Sequence, residues 1–322
     1  MKKGKLISII IASVLVCAGM IVFLIGAALA GFNFDDIYDN KYETVTLNVE
    51  DKFTDIDIST EVECDIYLFK SDDGTCRIEC VQSDKIEHRA TVKNGELVVT
   101  RTDTRKWYER IGFFSWRSAK LSVYLPEEVY DTLELKTVSG DITVPGDFTF
   151  RDVSAESTSG DIKFDAKAEH GISCKTVSGD IFVSGSEGRT NLKTTSGDVR
   201  VSNINTDSDV LVDTTSGDIE ISDIKAGTFS ILTTSGDISL RNALASGNVN
   251  ITAVSGDIRM ISCDAETFYV KTVSGDVSGD ILSPKFFETH TTSGDVRVPQ
   301  SDRNAGTFEV HTTSGDIRID VR

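Results

Sequence analysis

The chain has 322 residues, 51 acidic against 33 basic for a formal charge of −18, and 39% hydrophobic residues. That balance excludes disorder, and the excess acid excludes nucleic acid as a partner, because binding there depends on cationic neutralisation of phosphates. Four His and six Cys, with no Cys-x-x-Cys and no His-Glu-x-x-His, supply no ligand set for a structural zinc or a zincin-type protease, and no cofactor is expected.

Residues 1–31 contain no acid: Lys2, Lys3 and Lys5 precede an apolar run over 6–30. A bilayer core needs about 20 apolar helical residues, so this run can form one transmembrane helix. Its cationic flank stays in the cytoplasm and Asp35 and Asp36 cross, which predicts a single-pass protein of the cytoplasmic membrane, N-in and C-out. Ala28-Leu29-Ala30 also fits a signal cleavage site, but the run exceeds the usual signal core of about 7–15 residues, which favours an uncleaved anchor.

Residues 32–131 carry strand patterns without a repeat, as in 45–49, 55–58 and 96–99, and read as an irregular β region that begins or caps a solenoid formed by the remainder of the chain. Cys64, Cys76 and Cys80 flank the turn Ser71-Asp72-Asp73-Gly74, and hairpin pairing about that turn sets Cys64 opposite Cys80. Outside the cell those two can form a disulfide; as buried thiols they act as small apolar residues, and the pattern leaves both open. Residues 101–120 hold six basic residues against two acids and both tryptophans. Trp107, Tyr108, Arg110, Phe113, Phe114, Trp116 and Arg117 suit contact with an anionic surface: lipid headgroups, wall polymer or an envelope protein. The competing reading is a long hairpin loop folding its aromatics over the solenoid end.

Residues 132–322 are a repeat. Ser-Gly-Asp recurs in register ten times, its glycine at 140, 160, 179, 197, 217, 236, 256, 275, 294 and 315, in steps of 18–21 residues. Counted from the glycine, apolar residues mostly occupy −7 and −5, Thr mostly −3, and Ile or Val +2 in every copy. This is a period of two on both sides of a tight turn, so each copy is strand, turn, strand, completed by a return segment. The prediction is an all-β parallel solenoid of about ten 19–20-residue coils, roughly 45 Å long at a strand spacing of about 4.8 Å.

These Thr-Thr-Ser-Gly-Asp-Ile and Thr-Val-Ser-Gly-Asp-Ile motifs, behind one apolar segment and a strand ending Val123-Tyr124-Leu125-Pro126, resemble the bacterial "putative adhesin" family of unknown function. The resemblance implies a single-stranded β-helix at the cell envelope and carries over no catalytic residues.

The sharpest column is the Asp at +1: Asp141, Asp161, Asp180, Asp198, Asp218, Asp237, Asp257, Asp276, Asp295 and Asp316. Each is expected to cap its own turn by accepting backbone N–H bonds; the competing reading is a ladder for divalent cations, although calcium wants six or more oxygens. The Thr column faces inward, where stacked hydroxyls are expected to bond one another. His290 and His311 share an outward position on consecutive coils, without a third metal ligand. The last segment, Ile317-Arg318-Ile319-Asp320-Val321-Arg322, is expected to be the terminal edge, its alternating charge favouring a monomeric rod. The expected function is a non-enzymatic, membrane-anchored scaffold, adhesin or stress-signalling accessory; the alternative is a polysaccharide-binding or -processing β-helix protein, which the uniform coil length disfavours.

Overall fold

Alternation with period two turns every second side chain to one face of a strand, and a face of Ile, Val and Phe is stable only when a second such face covers it. The computed structural model, which describes residues 42–60, 63–105 and 119–322 together with Gly19 and Val22, resolves this as two facing sheets of 14 and 13 strands. Each coil contributes one strand to each sheet, and Ser-Gly-Asp turns the corner between them, as from Val129–Ser139 to Ile142–Val144. The predicted all-β solenoid is the observed fold. Segment 1–31 lies outside the described residues except for Gly19 and Val22, both helical; among the described residues no helix is long and apolar enough to cross a membrane.

Inside, the +2 column is continuous: Ile142, Ile162, Ile181, Val199, Ile219, Ile238, Ile258, Val277 and Ile317 are all buried. A second column stacks Phe229, Val249, Phe268, Phe308 and Phe287 in register, with the rings of Phe268 and Phe308 4.8 Å apart. Each such ring contributes roughly 1.5–3 kcal/mol by leaving water. The return segments share a device of their own. Asn203, Asp223, Asn242 and Ser262, on successive coils, all take φ of 50–55°, and Asn242 Nδ2 donates to Asp223 Oδ1 at 2.7 Å.

At both ends, coils do not stack in chain order. Strands Asp55–Thr60 and Asp65–Lys70 form a rung directly beneath Val129–Ser139 and Ile142–Val144, while the later strands Glu96–Asp103 and Lys120–Leu125 form the rung outside it. Strands Glu43–Val49 and Cys76–Gln82 extend one sheet antiparallel beyond that rung, and Ile86–Lys93 extends the other. At the opposite end, the coil Phe286–Ser293 and Val296–Arg297 leaves a slot that the next coil, Thr307–Ser314 and Ile317–Val321, returns to fill. The expectation that 317–322 forms the terminal edge is therefore corrected: that strand lies between Val277–Ile281 and Val296–Arg297. The true end is the coil 286–297, where Val296 of the otherwise buried +2 column is 45% exposed. Its edge is capped in part by the connection that returns to the slot. Ser301 Oγ accepts from Phe287 N–H at 3.0 Å and donates to Phe287 C=O at 3.5 Å.

An additional Ser-Gly-Asp, Ser278-Gly279-Asp280, falls off the repeat register and lies within strand Val277–Ile281. Strand Lys120–Leu125 also corrects the hairpin register. It pairs antiparallel with Cys76–Gln82, placing Cys80 opposite Leu121, and parallel with Asp65–Lys70, so it separates the strand that carries Cys80 from the strand that Cys64 immediately precedes. Two strand spacings are about 9–10 Å, beyond the roughly 7 Å Cα limit of a disulfide. Cys64 and Cys80 are free, buried thiols, as are Cys76, Cys174 and Cys263.

Candidate functional site

The turn column is the most regular chemical feature, and its geometry differs from the expectation that each Asp caps its own turn. Every repeat carboxylate but that of Asp295, at the end of the stack, accepts instead from the neighbouring coil. Asp161 N–H donates to Asp141 Oδ1 at 2.9 Å, Asp237 N–H to Asp218 Oδ1 at 2.8 Å, and Asp257 N–H to Asp237 Oδ1 at 2.8 Å. The ladder runs in spatial rather than sequence order: Asp316 N–H donates to Asp276, and Asp295 N–H to Asp316. Its first member is Asp65, which receives Asp141 N–H at 3.1 Å. Sequence reasoning missed Asp65 because Cys64 stands where the repeat has Gly; Ile66 in the +2 position was the available signal.

The Thr column completes this corner. Contrary to expectation, the hydroxyls do not bond one another but donate to the glycine-position carbonyl of the adjacent coil: Thr137 to Cys64 O, Thr176 to Gly160 O and Thr194 to Gly179 O at 3.0–3.2 Å. Thr233 turns to Ser235 O in its own coil, and Thr272 Oγ1 has no partner. A continuous parallel ladder would join the Asp amide to the preceding glycine carbonyl. Here the two are pulled apart and each is satisfied by a side chain, Asp for the amide and Thr for the carbonyl, as buried backbone groups require. Glycine is needed because the turns stack so closely: a Cβ on Gly217 would lie 1.9 Å from Gly197 O.

Among the described residues, no group of three or more His, Cys, Asp or Glu is placed to hold a metal ion. His290 and His311 stand side by side with ring centroids 6.0 Å apart, and His311 Nε2 lies 2.7 Å from Glu309 Oε1.

Trp107, Tyr108, Arg110, Phe113, Phe114, Trp116 and Arg117 lie outside the described residues, but their flanks are placed. The loop joins Glu96–Asp103 in one sheet to Lys120–Leu125 in the other, so it replaces the tight turn of the outermost parallel rung. Three of the basic residues counted in 101–120 are used within the fold. Arg101 is buried and donates from Nη1 to Glu63 O at 2.5 Å; Arg105 grips Asp103, and Lys120 Nζ sits 4.4 Å from the centre of the Tyr67 ring. Burial, reinforced by Arg101, pushes His88 down to about 4, and neither of its ring nitrogens has a partner.

One open depression of about 590 Å³ crosses the outer face of the second sheet, lined by Glu134, Asp152, His170, Arg189 and Asn191 among others. His170 Nδ1 lies 3.3 Å from Asp152 Oδ2, and both side chains are exposed.

The stacked coils, the two facing parallel sheets and the hydrogen-bonded turn ladder define a parallel β-solenoid protein. The chain belongs to the Toastrack DUF4097 family, whose model matches residues 53–320, and the resemblance seen in the repeats is met. No curated protein matches it. Solved structures similar to it include a putative adhesin from Bacteroides fragilis at 16% identity, covering 86% of this chain and 97% of that one, with a TM-score of 0.35. A putative lipid binding protein from Parabacteroides distasonis is 13% identical, covering 87% and 97%, with a TM-score of 0.41. A putative cell adhesion protein from Clostridium sporogenes is 10% identical, covering 88% and 100%, with a TM-score of 0.25. At these values the likenesses carry no argument about ligands.

Proposed function

We propose that the protein is a non-enzymatic, membrane-anchored scaffold of adhesin type, held N-in and C-out in a bacterial cytoplasmic membrane with its solenoid outside. The aromatic-basic loop is its contact with the membrane surface or an envelope partner. One observation carries the reading. Strand Glu43–Val49, the first among the described residues, and the strands flanking the loop occupy the same end of the solenoid, so an anchor and the loop would meet one surface together. Aromatic residues mixed with Arg are suited to a headgroup layer.

Trp107 and Trp116 are the only tryptophans, so intrinsic fluorescence reads the loop alone. The full chain reconstituted in vesicles of brominated phospholipid should show quenched emission, and replacing Phe113 and Phe114 with Ser should relieve the quenching. Unquenched emission with full access to acrylamide would sink the membrane contact. A second reading, glycan binding or processing, is favoured only by the depression around Asp152 and His170. Release of reducing or unsaturated sugar ends by the purified protein would establish it.

A further inference from the structure

The +3 column runs along the outer face of the first sheet, and for most of its length it is neutral or balanced. Arg200, for example, reaches Asp198 at 3.2 Å and Glu220 at 3.5 Å. At the end remote from the loop the order becomes Arg259, Ser278, Arg318, Arg297 on successive strands. All three arginines are exposed, and among the described residues none forms an ion pair. The chain brings these like charges together by the swapped coils: Arg318 and Arg297 are opposite one another only because the later coil returns beneath the earlier one. Adjacent like charges on a sheet are destabilising, and the carboxylates two residues away, Asp257, Asp316 and Asp295, stay in the turn ladder without pairing to these arginines, so three guanidinium groups stand unpaired side by side in a molecule of net charge −18.

The column borders an open depression of about 340 Å³ lined by Arg259, Ser278, Gly279, Asp280, Arg318 and Arg322, with Ile261 and Asp320. Ser278 is the short member between two arginines and leaves a notch with a guanidinium on either side. Arg322 is occupied, with Nε 2.9 Å from Asp280 Oδ1 and Nη1 donating to Ser262 Oγ at 2.9 Å. Asp280 also accepts Ser262 N–H at 2.9 Å, which leaves Asp320, among the described residues, as the one acid at the rim without an ion pair.

We infer that this notch and column bind successive phosphates of a linear polyphosphate-type anion. Guanidinium forks match phosphate oxygens in a bidentate manner, which an isolated lysine would not do. Neighbouring strands set Arg318 and Arg297 about 4.8 Å apart, close enough to share one phosphate, and Arg259 lies about 9–10 Å from Arg318, at the spacing of a next anionic unit. The choice of a polymer over headgroups of the anchoring bilayer rests on the orientation proposed above, which puts roughly 50 Å of stacked coils between the two.

The test uses the full chain held in phosphatidylcholine nanodiscs, with inorganic polyphosphate as the probe, orthophosphate and phosphatidylglycerol vesicles as comparison arms, and Kd measured against salt. Polyphosphate should bind, weaken steeply between 50 and 200 mM salt as expected for counterion release, and lose about 10- to 100-fold in R259Q/R297Q/R318Q. R200Q, in the same column but already paired, should bind as the parent does. The triple variant should melt no lower than the parent, since it removes repulsion; if it does melt lower, single R297Q replaces it, with a loss of a few-fold expected. Equal binding by the variants, no polyphosphate binding at 50 mM salt, or tighter binding to the vesicles than to polyphosphate would each overturn the inference. The tryptophan quenching above reads the other end, so the two proposals fail separately.

Discussion

Replacing Asp237 tests what the turn ladder is for. Asp237 Oδ1 accepts Asp257 N–H at 2.8 Å, while its charge sits between those of Asp218 and Asp257. At about 4.8 Å, two carboxylates repel by about 0.9 kcal/mol in water, screened to about 0.5 kcal/mol at physiological salt, or about 1 kcal/mol for both neighbours. The bond to the amide contributes about 1–1.5 kcal/mol. D237N keeps the acceptor oxygen and removes the charge, so it should be within about 0.5 kcal/mol of the parent, more stable at low salt and less sensitive to added salt. D237A removes acceptor and charge together and should be about 1 kcal/mol less stable than D237N, with faster hydrogen exchange at the Asp257 amide. Urea midpoints of the three proteins, with and without calcium, make the comparison. If D237N is as destabilised as D237A, or if calcium raises the parent's midpoint and not that of D237N, the charge itself is needed and the capping argument fails.

The same geometry sets other outcomes. G217A, whose Cβ would meet the Gly197 backbone at 1.9 Å, should cost more than 3 kcal/mol or abolish folding by circular dichroism, on the order of the severest single substitutions. G74A, with nothing within 4 Å but a φ of +71°, should cost only about 1 kcal/mol. Burial holds His88 at about 4, below its ordinary 6.5, so the unfolded chain takes a proton first. Its contribution is therefore complete above pH 6.5 and lost as pH falls towards 4, about 3 kcal/mol in all, and H88L should flatten that acid slope in thermal melts. Burial raises the Cys64, Cys76 and Cys174 thiols to about 12 and Cys263 to about 11, so iodoacetamide should label them only in denaturant, and reductant should leave the intact mass unchanged. Deleting 299–322 empties the slot between Val277–Ile281 and Val296–Arg297, so it should expose 286–298 to protease as well as shorten the chain.

Fold class, strand positions and inward faces were legible from residues 132–322 because the period-two pattern and the glycine register are local properties of the chain. The same pattern identified the Asp and Thr columns, yet it assigned their partners within one coil or one column, whereas the bonds run between coils, from Asp257 N–H to Asp237 and from Thr176 to Gly160. The aromatic-basic loop was conspicuous by composition, but composition counted Arg101 and Arg105 as surface charge when the fold spends them on Glu63 and Asp103. The arginine column could not be seen at all, since Arg259, Arg297 and Arg318 are spread over about 60 residues and meet only through strand pairing.

By itself the sequence determined that this is a stack of near-identical β coils and which side chains line its interior. Only the tertiary structure decided the order of the coils at its ends. The reason is physical: repeats with the same apolar columns fit one another in any order, so local pattern cannot rank the slots. The choice falls to long-range contacts, such as the connection whose Ser301 covers the edge at Phe287, and the strand 120–125 that enters between Cys64 and Cys80.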